Sequence, residues 1–125
     1  MTVSADEMTP VVSVIIPTIG SSFLSEQLRS LAEQQAPPRF EVLVADNGAT
    51  DDLNAQLAPW RSRLDLRVVD ARTRLGTPHA RNTGAHEARG RYLLFLDDDD
   101  VTTPGYVRTM ADALEHHSAV AARVD

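Results

Sequence analysis

Two residue types are missing altogether: the 125-residue chain contains no cysteine and no lysine. Without cysteine there are no disulfides, no thiolate metal sites and no cysteine nucleophile. Without lysine there is no Walker-type phosphate lysine, no Schiff-base chemistry and no lysine to stand beside an aspartyl phosphate. All 12 basic residues are arginines, set against 18 acidic ones, for a formal net charge of -6. That sign repels phosphate backbones, so nucleic acid is not an expected partner. An anionic small molecule would need locally placed cations. No stretch approaches the roughly 20 apolar residues that span a bilayer. The opening segment, Met1 to Pro10, is polar and acidic and lacks a signal-peptide pattern. We expect a flexible tail over 1–10 and a cytoplasmic protein, with peripheral membrane association left open.

What is present suits one domain over 11–125. Hydrophobic residues make up 42% of the chain and charged residues 24%, enough apolar surface for a core. Val11 to Ile16 is a β-branched apolar run of the kind covered on both faces of a sheet. Pro17, Gly20 and Ser21-Ser22 are expected to break it. Leu24, Leu28 and Leu31 recur at helical spacing, and Pro37-Pro38 ends that helix. Phe40 to Ala45 reads as a second strand. Asp51 and Asp52 can cap a helix carrying Leu53, Leu57, Trp60 and Leu64, made irregular by Pro59. Leu64 to Val69 is a third strand. Ala80, Gly84 and Ala88 give the next helix a small face that can lie close to a sheet, with Gly90 as its stop. Tyr92 to Leu96 is the most apolar strand. Thr103 and Pro104 open a helix with Val107, Met110 and Leu114. Ala119 to Val124 can begin a fifth strand.

This alternation predicts an α/β fold with a mostly parallel sheet and helices on both faces. Ligands of such sheets bind outside the carboxyl ends of the strands. Three loops therefore matter: Pro17 to Ser22, Asp46 to Asp51, and Asp97 to Thr103. The last begins with four consecutive aspartates, Asp97 to Asp100. Adjacent carboxylates at the mouth of a buried strand repel one another and resist desolvation. A hard divalent ion, Mg²⁺ or Mn²⁺, removes that penalty and takes substrate phosphates into its remaining positions. An acidic turn favouring the next helix N-terminus needs only one or two of the four.

Asp46 faces the same rim, either as an acceptor for a base or ribose or as ordinary Asp-Asn-Gly turn chemistry. Arg81 and Asn82 are placed at the opening of the helix after the third strand, where a cation can meet a phosphate or simply face solvent. The four histidines lack the companion ligands of a metal site.

Four segments together resemble family 2 glycosyltransferases. They are Val12-Ser-Val-Ile-Ile-Pro-Thr18, Glu41-Val-Leu-Val-Ala-Asp-Asn-Gly-Ala-Thr-Asp51, Gly76-Thr-Pro-His-Ala-Arg-Asn-Thr-Gly84 and Gly90-Arg-Tyr-Leu-Leu-Phe-Leu-Asp-Asp-Asp-Asp100. They occur in the family's order. The resemblance implies the Rossmann-like, nucleotide-binding half of a GT-A fold. It also implies a nucleotide-diphosphate sugar as donor, a UDP-sugar first, and transfer with inversion to an unknown acceptor. It carries Pro17 and Thr18 onto the loop lining the nucleotide pocket, and Asp46 onto the aspartate that reads the base. Gly76, Arg81 and Asn82 fall in the stretch that supports the donor. Asp97 and Asp99 match the ends of the DxD motif and the metal, with Asp99 as the main ligand. Asp97 and Asp98 lie near ribose and diphosphate.

The sequence departs from the family pattern at Ala45 and Asn47, which flank Asp46 where paired aspartates are common. Family domains also continue further, and the general base is expected beyond residue 125. The alternatives are a non-catalytic nucleotide-sugar-binding fragment or interaction module and, less well matched, a haloacid-dehalogenase-type phosphohydrolase with Asp97 as nucleophile. An incomplete sheet would also favour self-association.

Overall fold

The computed structural model describes residues 9–50 and 52–118. Four strands, β1 (Val12–Thr18), β2 (Phe40–Asp46), β3 (Asp65–Asp70) and β4 (Tyr92–Phe95), form one sheet in the order β3-β2-β1-β4. Every pairing is parallel. The helices are α1 (Leu24–Ala32), α2 (Leu53–Leu57) with a 3-10 turn at Ala58–Trp60, α3 (Thr77–Glu87) and α4 (Tyr106–His116).

Alternation along the central strands divides the core in two. Val12, Val14 and Ile16 of β1 and Val42 and Val44 of β2 join Leu24, Leu28 and Leu31 of α1. Leu53, Leu57, Trp60, Leu64, Val107 and Met110 complete that larger cluster. Each fully buried leucine contributes about 2 kcal/mol. On the opposite face Ile15, Leu43 and Val69 pack with Ala85 of α3, Ala88 just beyond it and Leu93 of β4. The expected small helical face is there: a Cβ on Gly84 would lie 2.6 Å from Ile15 Cγ2, so glycine lets α3 approach β1.

Several boundaries differ from expectation. β1 continues through Pro17 to Thr18. β4 pairs with β1 only over Val12 to Ile15. The Ile15 carbonyl accepts from Leu96 N, so by alternation the backbone of Pro17 faces the same side, past the end of β4. Its missing N–H therefore leaves no ladder bond unmade. The helix opened at Thr77 places Arg81 and Asn82 in its interior rather than at its start. Residues Thr103 and Pro104 precede α4 rather than beginning it. Asp52 caps α2, accepting from Asn54 N at 3.0 Å. Asp51, the expected strand Ala119 to Val124 and most of the expected tail lie outside the described residues; Pro10 is buried.

Gly90 is not the stop of α3, which ends at Glu87 with Ala88 already extended. It is required by close approach: an added Cβ would lie 2.6 Å from Ser13 N and 2.7 Å from the Val12 carbonyl carbon. Backbone cannot yield as a flexible side chain can. Gly90→Ala is therefore expected to cost about 3 kcal/mol, at the upper end for overpacking. Urea unfolding at constant m-value measures it, and a loss below about 0.5 kcal/mol would contradict the contact.

Beside Gly90 lies a buried carboxylate. Glu41 is fully buried yet accepts from Ser13 Oγ at 2.6 Å, Arg89 N at 2.7 Å and the Arg89 guanidinium at 3.1 Å. Arg67 lies 3.4 Å from it. This cluster anchors the amino-terminal end of the sheet, opposite the carboxyl ends of the strands.

Candidate functional site

The strand order creates a crevice before any side chain is considered. From β1 the chain passes through α1, on the face of the larger cluster, to β2. The crossover from β3 to β4 uses α3, on the opposite face. The strand order runs outward from β1 to β2 and β3 and then returns to the other side of β1 with β4, and open α/β sheets bind ligands where the strand order reverses in this way. A cleft of about 290 Å³ opens there, lined by Pro17, Thr18, Ile19, Asn47, Thr77, Asp97, Asp98 and Asp99. Five of the eight, Pro17, Thr18 and the three aspartates, are residues picked out in the sequence.

The aspartates form a closed turn. Asp100 N donates to the Asp97 carbonyl at 3.1 Å, and Asp97 N donates to Asp100 Oδ2 at 2.9 Å. Asp98 is drawn aside, accepting from Thr18 Oγ1 at 2.7 Å, which ties the end of β4 to the end of β1. Asp97, Asp99 and Asp100 each present a carboxylate oxygen within 4.8 Å of the others. Such an all-oxygen set fits a hard divalent ion such as Mg²⁺ or Mn²⁺. Asp100 was not singled out as a ligand in the sequence, because its approach depends on closure of the turn. Its charge also reaches Tyr106, whose phenol is pushed up first by burial and then by Asp100.

Asp46 takes the turn role. Its Oδ1 accepts from Gly48 N at 3.0 Å and Ala49 N at 2.8 Å, and Arg72 lies 2.8 Å from Oδ2. Burial pushes its carboxyl up, but the Ala49 and Gly48 amides and Arg72 outweigh it and hold the group below the usual aspartate value. Its neighbour Asn47 lines the cleft instead. Asn47 Nδ2 donates to the carbonyls of Ala71 and Arg74, and its Oδ1 accepts from Gly76 N at 2.8 Å. One side chain thereby holds the loop leading into α3 and sets both Gly76 and Thr77. The departure from paired aspartates at this point is a structural brace: the amide donates to two carbonyls, which a carboxylate cannot do.

Arg81 is half-exposed on α3 and reaches Asp97 Oδ1 at 3.3 Å, supplying positive charge beside the acidic turn. Asn82 lines a separate hollow of about 280 Å³ with Arg74, Leu75, Pro78 and His79.

The model of glycosyl transferase family 2 matches residues 13–125. The chain belongs to that family. Among curated family relatives, the chain is 38% identical over 112 residues to the poly(ribitol-phosphate) beta-N-acetylglucosaminyltransferase TarS of Staphylococcus aureus. It is 36% identical over 114 residues to validoxylamine A glucosyltransferase of Streptomyces hygroscopicus. The matches cover 86% and 87% of this chain but only 20% and 25% of those proteins. The chain thus spans about a fifth to a quarter of the length of these relatives. A crystal structure of a TarS fragment in complex with UDP-GlcNAc superposes with a TM-score of 0.75 at 34% sequence identity, over 86% of this chain and 32% of that one. The shared fold confirms the GT-A family expectation, and family membership displaces the phosphohydrolase alternative. No helix among the described residues is long and apolar enough to cross a membrane.

Proposed function

We propose that this glycosyltransferase family 2 chain forms the donor site for a nucleotide-diphosphate sugar, a UDP-sugar in the first instance. Asp97, Asp99 and Asp100 would hold Mn²⁺ or Mg²⁺. When bound, such an ion draws off the negative charge that develops on a departing diphosphate. The observation that carries this reading is the position of the cleft. It opens where the strand order reverses, between β1 and β4, with Pro17, Thr18 and Ile19 on one wall and Asp97, Asp98 and Asp99 on the other.

The chain's own residues divide the work. Thr18 holds Asp98 and so fixes the separation of the two walls. Arg81 offsets part of the aspartate charge from the α3 side. Asn47 braces the loop that carries Gly76 and Thr77 to the cleft. Asp46 serves the nucleotide end by shaping its own turn through Gly48 and Ala49, with Arg72 alongside. The structures of TarS with UDP and with UDP-GlcNAc support a uridine nucleotide as the first ligand to test. Transfer with inversion is the outcome the family implies.

Calorimetry with UDP tests the reading. Binding is expected to be at least about tenfold tighter in Mn²⁺ than in EDTA, the scale on which ligand-supporting groups alter metal sites. Equal affinity in the two buffers would overturn the metal assignment, and no binding in either would overturn the donor site.

A further inference from the structure

Helix α1 turns its leucines into the larger core, yet one polar residue goes in with them. Gln27 is fully buried. A buried amide is costly unless its hydrogen bonds are made. Gln27 Nε2 donates to the Asp97 carbonyl at 3.0 Å, and Gln27 Oε1 accepts from Ser30 Oγ at 3.2 Å. The Asp97 carbonyl therefore receives two donors, Gln27 from the helix and Asp100 N from within the turn. Asp97 N is held in its turn by Asp100 Oδ2. The backbone of the first aspartate is thus clamped on both sides while its carboxylate is exposed towards the cleft.

The same helix and the residues just after it continue the seam. Ser30 bonds Thr102, and Gln34 donates to the Thr103 carbonyl at 2.7 Å and accepts from Val107 N at 2.9 Å. Of Gln27, Ser30 and Gln34, it is Gln27 that reaches the aspartate turn itself. α1 is anchored by Leu24, Leu28 and Leu31, each at most 1% exposed, so it is a rigid reference for that turn.

We propose that Gln27 is a positioning residue for the donor site. By fixing the Asp97 carbonyl to the helical core, it sets the spacing at which Asp97, Asp99 and Asp100 meet a cation. This rests on the donor-site reading above. Groups that orient metal ligands without touching the metal typically cost 10–100-fold in metal affinity when removed. A residue that merely filled core space would change stability alone.

The test uses the full chain. UDP affinity is measured by calorimetry in Mn²⁺ and in EDTA, with thermal unfolding alongside, for the wild type, Gln27→Met and Gln34→Met. Methionine keeps the length and most of the volume of glutamine and removes its donor. Gln27→Met is expected to bind UDP about tenfold more weakly in Mn²⁺ and equally in EDTA. Gln34→Met, which lacks contact with the aspartate turn, is expected to change only the unfolding temperature. A Gln27→Met protein with wild-type affinity in Mn²⁺ overturns the proposal, as does an equal loss in both buffers. If that variant does not fold, Gln27→Leu, which also removes the donor to the Asp97 carbonyl, takes its place. A loss confined to Mn²⁺ then supports the role and unchanged binding overturns it. A wild type indifferent to Mn²⁺ defeats the donor-site reading first and this inference with it, whereas a metal-dependent wild type with an unaffected Gln27→Met defeats this inference alone.

Discussion

Asp99→Ala is expected to weaken UDP binding in Mn²⁺ by about a hundredfold while leaving the fold intact, the top of the range for groups that merely support metal ligands. The reason lies in how differently the four aspartates are engaged. Asp98 is bonded to Thr18, Asp97 is paired with Arg81, and Asp100 closes the turn through Asp97 N. Among the described residues, no hydrogen bond or ion pair engages the exposed Asp99 carboxylate, although its oxygen lies within 4.8 Å of those of Asp97 and Asp100. Alanine at that position removes a candidate oxygen ligand and no hydrogen bond or ion pair among the described residues. Thermal unfolding should accordingly move by no more than a surface substitution does, about 0.5 kcal/mol. UDP calorimetry in Mn²⁺ and EDTA supplies the check. Wild-type affinity in the variant would remove Asp99 from the metal site, and a large loss in EDTA would mean that it contacts the nucleotide or supports the fold instead.

The second large effect is on stability and lies at the other end of the sheet. Glu41→Gln is expected to destabilise the protein at pH 7 by about 3 kcal/mol, the low end for breaking a buried charge cluster. The low end applies because the Arg67 and Arg89 side chains are 33% and 56% exposed and can turn to water, while Glu41 cannot. Burial pushes the Glu41 carboxyl up, but the Ser13 hydroxyl, the Arg89 amide and guanidinium and the Arg67 charge together hold it below its ordinary value of 4.5. A carboxyl whose value is lower folded than unfolded stabilises the fold above the unfolded value. That contribution drains away as pH falls through 4.5 towards the folded value. The gap between wild type and Glu41→Gln should therefore be widest at neutral pH and shrink below pH 4.5. Asp46, also held low, contributes acid sensitivity of the same sign to both proteins and cancels in the difference. Urea titrations across this range decide the matter: a gap that stays constant with pH would show that the Glu41 charge does not carry the stabilisation.

Much of this architecture is local in origin and so was readable along the chain. Each strand is a short β-branched or apolar run, each helix shows apolar residues at helical spacing or a small face, and proline, glycine and aspartate mark the breaks. The aspartate run after β4 was readable for the same reason: its members are consecutive, and the strand before them fixes which edge they occupy. Pro17, Thr18, Asp97, Asp98 and Asp99 all reach the cleft that the strand rule indicates.

What the linear order left open depends on partners far apart in sequence. Thr18 reaches Asp98 across 80 positions, and that bond decides which of four like residues turns away from the other three. Gln27 meets Asp97 across 70 positions, so a glutamine on an otherwise ordinary amphipathic helix carries no local sign of its place. Asn47 reads as turn chemistry until its side chain is seen bracing Ala71, Arg74 and Gly76. Glu41 lies in a strand and becomes a fully buried charge only because Arg89, 48 positions on, returns beside it. Pro17 fits a central strand only because β4 ends before reaching it. Residue type and spacing thus determined the elements, the strand edge and the chemistry available there. Packing alone decided which side chains converge, because hydrogen bonds and burial act through space, and the fold brings together what the chain keeps apart.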